Sequence, residues 1–250
     1  MKTDLNEGLR PKASPWGRVM IDCETLGTTP GCVVATIGAV RFAGGRITDE
    51  FYVRIDLEDC VRCGLKMEVD TMRWWMQQFP KEREEVWCAK QKTNGPGMHG
   101  LGVSRLSLGD SLALLRGWLD SHEVTEIWCK GGSFDFPILM AAWTAAGYDD
   151  YKPWSYRKER CYRTVAALCP EVEAAQDCGG AHHALTDAIA QALHLMRVEE
   201  HWRQLRDAKQ CQVDPEGYGK RMVETLGAVV EGENDLGVPP LGRNGTEKAQ

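Results

Sequence analysis

A single α/β domain is the fold this sequence predicts. Three strand-like stretches follow one another near the start, joined by short connections. Amphipathic helices then alternate with short strands, which is the element order of an α/β layer architecture. The composition, 250 residues with 43% hydrophobic and 26% charged, leaves room for one large domain with tails.

The first strand is Arg18-Val19-Met20-Ile21, running into Asp22-Cys23-Glu24-Thr25-Leu26-Gly27. Residues 32–42 (CVVATIGAVRF) are rich in β-branched side chains and predict the second strand. Ala43-Gly44-Gly45-Arg46 is a hairpin turn signal, and residues 47–55 read as the returning strand, completing an antiparallel meander. Asp70, a candidate N-cap, opens a helix that ends before Pro80, and a second helix is expected over residues 81–90. Residues 91–104 form a glycine-rich loop. Leu108, Leu112, Leu115 and Leu119 set helical spacing over residues 107–122. A short strand follows at residues 126–130. Gly131-Gly132-Ser133 turns the chain into a helix reaching about Ala146, with Pro137 suited to its first turn. A last strand is expected around residues 160–164, and a short helix over 166–173. A long helix is expected from Leu185 to about Arg206, its apolar stripe formed by Leu185, Ile189, Ala192, Leu193 and Met196. One further helix is expected over residues 218–230.

The expected organisation is a loose arm at residues 1–14, a domain at 15–210 and a C-terminal extension at 211–250, partly disordered because it has no hydrophobic periodicity. No run of about 18 apolar residues predicts a transmembrane helix. The first residues lack an apolar signal core, so the expected location is cytoplasmic. The ten cysteines lie largely in apolar or strand-like stretches, which suits a reducing compartment. Cys60-Val61-Arg62-Cys63 has zinc-type spacing, but no second such pair completes four ligands. The net charge of −6 excludes a protein that coats nucleic acid by charge alone.

The chemistry starts at Asp22 and Glu24. Residues i and i+2 of a strand face the same side, so the two carboxylates point together. Adjacent anions repel unless a cation lies between them, and a hard divalent ion such as Mg²⁺ takes oxygen ligands. An edge strand with two solvated acids is the plainer alternative. Asp135 arrives at a strand-to-helix turn, where its carboxylate also suits the helix dipole. His182, His183 and Asp187 arrive at the start of the long helix. Four carboxylates and a histidine are the equipment of a two-metal phosphodiester hydrolase, with the neutral imidazole as proton acceptor.

In this order and spacing the chain resembles the DEDDh group of 3′–5′ exonucleases, which includes the proofreading subunits of DNA polymerases. The resemblance rests on Asp22-Cys23-Glu24-Thr25-Leu26-Gly27, on Ser133-Phe134-Asp135, and on His182-His183-Ala184-Leu185-Thr186-Asp187. Trp74-Trp75, Trp154-Ser155-Tyr156 and Arg160-Cys161-Tyr162-Arg163-Thr164 are similar to its phage and bacterial exonuclease VIII-like branch. One departure is Lys130-Gly131-Gly132-Ser133, where many members carry an Asn before the second motif.

The resemblance implies a ribonuclease H-like fold: a five-stranded mixed sheet, antiparallel meander plus parallel strands, flanked by helices. It implies two Mg²⁺ or Mn²⁺ ions held by Asp22, Glu24, Asp135 and Asp187, with His182 as general base and His183 as the alternative. It further implies a single-stranded or unpaired 3′ end as substrate, DNA slightly favoured over RNA, with nucleoside 5′-monophosphates as products. A catalytically silent nucleic-acid-binding module of the same fold is the alternative outside enzymes. Candidate substrate contacts are Thr25, Leu26 as a wedge against the terminal base, Gly27, Phe134, Trp75 or its neighbour Trp74 for stacking, and Arg163 for phosphate. No membrane partner is expected, and a homodimer is compatible with the resemblance.

Overall fold

Five strands form one sheet in the order β3-β2-β1-β4-β5. The computed structural model describes residues 17–87, 105–148, 153–174 and 182–213. β1 (Arg18–Thr25) sits at the sheet centre, antiparallel to β2 (Val34–Ala43) and parallel to β4 (Glu126–Cys129). β3 (Arg46–Arg54) pairs antiparallel with β2, and β5 (Glu159–Cys161) parallel with β4. This is the five-stranded mixed sheet of a ribonuclease H-like fold.

Burial explains the order. β2 is covered on both faces for nine of its ten residues, as its nearly unbroken apolar run requires. β3 closes the edge with charged residues, including Arg46, Asp49 and Glu50, which discourages further strand pairing. Parallel pairing needs crossovers. α4 (Leu108–Asp120) leads into β4 and α5 (Asp135–Ala145) leaves it.

The pleat of β1 divides the core. Val19, Ile21 and Cys23 pack toward one face, with Leu108, Leu112 and Leu115 of α4 and Phe136, Leu139 and Trp143 of α5. Met20 packs toward the other, with Ala188, Ala192 and Leu195 of α7 (Ala184–Val213). Asp22 and Glu24 have the parity of Met20 and therefore belong to the α7 face.

Several boundaries differ from expectation. β1 extends through Thr25, because its carboxylate residues still pair with β2. The expected last strand stops at Cys161; Tyr162 begins a short helix, α6 (Tyr162–Ala167). Two elements had no sequence signal strong enough to predict them. One is α1 (Leu57–Arg62), capped by the Asp56 carboxylate, and the other is a single 3₁₀ turn at Tyr156–Lys158. α1 takes up the Cys60-x-x-Cys63 segment: Cys60 is fully buried and its thiol donates to Val34 O. The seven cysteines whose side chains are described are all free thiols.

α2 (Val69–Gln77) and α3 (Pro80–Trp87) are the two helices expected after the meander. The stripe expected on α7 is rotated. Ala184, Ala188, Ala192, Leu195 and Val198 are its fully buried apolar residues, while Leu185, Ile189, Leu193 and Met196 flank them half-buried. Small residues at the centre of the face let the helix lie close to the sheet.

The chain divides into two compact units, Met1–Glu199 and Glu200–Gln250, and the division falls within α7. The expected arm at 1–14, the loop at 91–104, the helix at 218–230 and, apart from residues 211–213 at the end of α7, the extension at 211–250 lie outside the described residues. Among the described residues, no helix is long and apolar enough to cross a membrane.

Candidate active site

The carboxylates meet at the C-terminal end of β1. One oxygen from each of Asp22, Glu24 and Asp187 lies within 4.8 Å of the other two. β1 supplies the first two through its pleat, and the register with β2 slips by one residue between Glu24 and Thr25. Such slips increase strand twist and re-aim side chains at sheet ends. Glu24 is buried and Asp22 half-buried, so this is no solvated edge pair.

Asp187 reaches the pair because α7 rests directly on β2. Gly38 lies opposite Asp22 in the β1–β2 register. A Cβ on Gly38 would stand 2.2 Å from Leu185 N and 2.3 Å from Ala184 C. Only glycine permits that approach of helix backbone to strand. The helix then presents Asp187 in its first turn and Gln191 one turn further on. Gln191 Nε2 donates to Asp22 Oδ1 at 2.8 Å.

Asp135 enters from the other side of β1. The chain leaves β4, turns at Gly131 (φ +119°), closes the turn with Phe134 N donating to Gly131 O, and starts α5 at Asp135. The Asp135 carboxylate is buried and accepts from the Cys129 thiol, its own backbone N–H and the Cys23 N–H. Burial outweighs those bonds and the nearby Arg163 charge, pushing its pKa up to about 6. Asp22 also titrates well above the usual carboxylate range. Burial is the largest cause, followed by the anions Asp135, Glu24 and Asp187, while the Gln191 hydrogen bond pulls the other way. The structure thus brings Asp22, Glu24 and Asp187 into one cluster, while Asp135 lies outside that group of three but near enough for its charge to raise the Asp22 pKa.

The segment after Glu24 is fixed by hydrogen bonds. Thr25 Oγ1 donates to Gly27 O at 2.7 Å, Leu26 N to Val33 O, and Glu68 N to Leu26 O. Glu68 accepts from the backbone and hydroxyl of both Thr28 and Thr29. Gly27 leaves no room for a side chain: a Cβ there would stand 2.5 Å from Cys32 Cβ and 2.8 Å from Glu68 Oε1.

The two histidines are placed differently. His183 stacks on Tyr52, with ring centroids 4.9 Å apart, and its Nδ1 accepts from Thr186 N at the start of α7. Burial lowers its pKa, with the Arg54 and Lys81 charges acting in the same direction. His182 stands edge-on to Trp74 at 4.7 Å and to Trp75 at 5.9 Å. Its φ of +63° makes it the one described non-glycine residue with a left-handed backbone. Such strain concentrates at functional sites.

Two of the candidate substrate contacts need correction. Trp75 is 1% exposed and its indole N–H donates to Thr25 O at 2.9 Å. It is a core post joining α2 to the end of β1 and has no face to offer a base. Its neighbour Trp74 is 40% exposed. Leu26 is fully buried among core residues, so it presents no wedge to a terminal base. Thr25 and Gly27 are also buried, which leaves them roles in loop shape. Phe134 is half-buried against the core. Arg163 is exposed, donates to Lys130 O at 3.1 Å and lies over Gly131, beside the turn that delivers Asp135.

Sequence reasoning missed Gly38, Gln191 and Glu68. For Gln191 a signal existed: a lone amide four residues after Asp187, on the same face as Ala188 and Ala192.

The donor set around Asp22 consists of carboxylate oxygens, which fits a hard divalent ion such as Mg²⁺ or Mn²⁺. Comparison with known proteins agrees with the fold. Residues 17–199 match the 3′–5′ exoribonuclease Rv2179c-like domain. An exodeoxyribonuclease of Enterobacteria phage T4 is 23% identical over 138 residues, covering 48% of this chain and 53% of the relative. A zinc-bound complex of E. coli exonuclease I with single-stranded DNA superposes with a TM-score of 0.53 at 12% identity, covering 76% of this chain and 42% of that one. Exonuclease I with a dT13 oligonucleotide gives 0.51 at 14% identity, again covering 76% and 42%. The chain therefore spans about half the length of these relatives or less.

Proposed function

The chain belongs to the 3′–5′ exoribonuclease Rv2179c-like domain family, and on that premise we propose that it is a divalent-metal-dependent 3′–5′ exonuclease acting on single-stranded or unpaired 3′ ends. The observation that carries the reading is the meeting of Asp22, Glu24 and Asp187 within 4.8 Å, in the motif order of that chemistry. The activity is assigned to the domain of residues 15–210, which contains the matched segment.

Asp22, Glu24 and Asp187 would hold the ion, and Asp135 would be a further ligand where a second ion binds. When bound, Mg²⁺ or Mn²⁺ supplies Lewis-acid charge at the phosphate and a more acidic water. His182 takes the proton of the attacking water. Attack on the terminal phosphodiester breaks the P–O3′ bond, leaving a 3′-hydroxyl on the strand and releasing a nucleoside 5′-monophosphate. His182 is preferred over His183 because the His183 ring already accepts from Thr186 N and stacks on Tyr52. Trp74, half-exposed and edge-on to His182, is the better stacking candidate for a terminal base. Arg163 is suited to a backbone phosphate upstream, since its guanidinium is held at the rim beside Asp135.

Two readings of the sugar each have their own support. RNA is favoured by the description of the family to which the chain belongs. DNA is favoured by the phage T4 relative, named as an exodeoxyribonuclease.

The test uses matched 5′-labelled DNA and RNA oligonucleotides with Mg²⁺, Mn²⁺ or EDTA, beside the Asp135→Asn variant. A ladder shortening from the 3′ end, dependent on metal and lost in the variant, is the expected result. The faster of the two strands identifies the sugar. Wild-type turnover by Asp135→Asn, or no degradation of either strand, contradicts the proposal.

A further inference from the structure

We infer that Gln191 is a positioning residue for the metal site, holding the Asp22 carboxylate in the orientation that binds the ion. The inference rests on the functional reading above and extends it to a side chain outside the family motifs.

Gln191 is 5% exposed and lies one helical turn beyond Asp187. Its Nε2 donates to Asp22 Oδ1 at 2.8 Å, across 169 residues of sequence. With one oxygen of Asp22 fixed by an amide donor, the carboxylate plane is set and the other oxygen remains for a cation. Because the same helix face carries Asp187, a single rigid element fixes one ligand directly and orients a second through its amide. Partners of this kind around ligating groups fix ligand geometry.

The second amide atom supports the assignment. Gln191 Oε1 is buried and has no hydrogen-bond partner among the described residues. A buried acceptor without a partner is rare and costly. Reversing the amide does not help, since it would set Oε1 against the carboxylate oxygen. Next to a carboxylate cluster, a water of hydration on a bound ion would supply the missing donor. A residue selected for packing alone would be apolar here, as its neighbours Ala188, Ala192 and Leu195 are.

The test compares wild type, Gln191→Met and Gln191→Asn in two measurements. Mn²⁺ binding is followed by electron paramagnetic resonance without substrate, and thermal melting is followed in EDTA. Methionine keeps the length of the side chain and removes both polar atoms. Asparagine keeps the amide one methylene short of Asp22 and guards against a Met variant that does not fold. The expected result is Mn²⁺ binding weakened about 10–100-fold, with melting in EDTA equal to or above wild type. Near wild-type cleavage should return when Mn²⁺ is raised to saturation. Mn²⁺ affinity within twofold of wild type in both variants overturns the positioning role. So does a loss of melting temperature in EDTA that accounts for the whole effect, because that marks Gln191 as a packing residue. Failure of wild type itself to bind Mn²⁺ would instead remove the metal reading beneath the inference.

Discussion

Gly38 lies directly opposite Asp22 in the β1–β2 register, and the backbone of α7 at Ala184–Leu185 rests on it. That contact determines how close Asp187 comes to the carboxylates of β1. Gly38→Ala would drive a Cβ to 2.2 Å from a backbone nitrogen, where no flexible side chain can yield. The expected cost is about 1–3 kcal/mol or more, a fall on the order of 2–4 °C in Tm per kcal/mol. Metal-dependent cleavage should fall with it, because α7 carries both Asp187 and Gln191. A variant with unchanged Tm and rate contradicts this placement of the helix.

His182 combines a left-handed backbone with the proposed role of general base. At φ +63° a side chain costs about 1–2 kcal/mol that glycine avoids. His182→Gly should therefore melt at or above His182→Ala, although it has the freer unfolded chain. Both variants should lose about 10²–10⁴-fold in rate at neutral pH, the usual contribution of a general base. Thermal melts and single-turnover rates on the pair check this, and full-speed cleavage by either moves the base elsewhere.

The neighbouring tryptophans should separate cleanly. Trp75→Ala empties a core position and removes the hydrogen bond to Thr25 O, at a cost of about 3–5 kcal/mol. Trp74→Ala should stay within about 0.5 kcal/mol of wild-type stability while weakening oligonucleotide binding about tenfold, the loss of one stacked base. Denaturant melts beside fluorescence-anisotropy titrations read both quantities. The reverse pattern would exchange the two roles.

Asp135 gives a pH signature. Its folded pKa, about 6, lies above the ordinary carboxyl value of 3.8. A carboxyl raised in this way contributes stability at low pH that is lost as pH rises through the folded pKa. In EDTA the wild type loses that contribution between about pH 4 and 6, and Asp135→Asn, which cannot ionise, does not. The variant should melt higher than wild type above about pH 6.5, with the gap closing toward pH 4. Saturating Mn²⁺ should reverse the order at neutral pH by stabilising the ionised wild-type site. A gap independent of pH contradicts the assignment.

Much of this architecture was legible in the residues. β2 announced itself through its β-branched run, α4 through leucines at helical spacing, and the carboxylate pair through strand parity. What escaped depends on contacts between distant segments. Gly38 reads as one small residue in a strand until α7 is laid across it. Gln191 reads as a surface amide until the helix is rotated so that alanines, not the larger Leu185 and Ile189, face the sheet. Trp74 and Trp75 are adjacent in sequence, and only the packing of α2 shows which one is enclosed. The end of the last strand also escaped: Tyr162 to Thr164 is β-prone by composition, yet α6 starts at Tyr162.

The Asp22, Glu24 and Asp187 cluster is the proposed seat of the catalytic metal. The direct test is anomalous diffraction from crystals soaked in Mn²⁺. A manganese peak bounded by carboxylate oxygens of Asp22, Glu24 and Asp187 is expected, with loss of that peak in Asp187→Asn. A protein that degrades oligonucleotides only with Mn²⁺, yet shows no peak at this cluster, would contradict it.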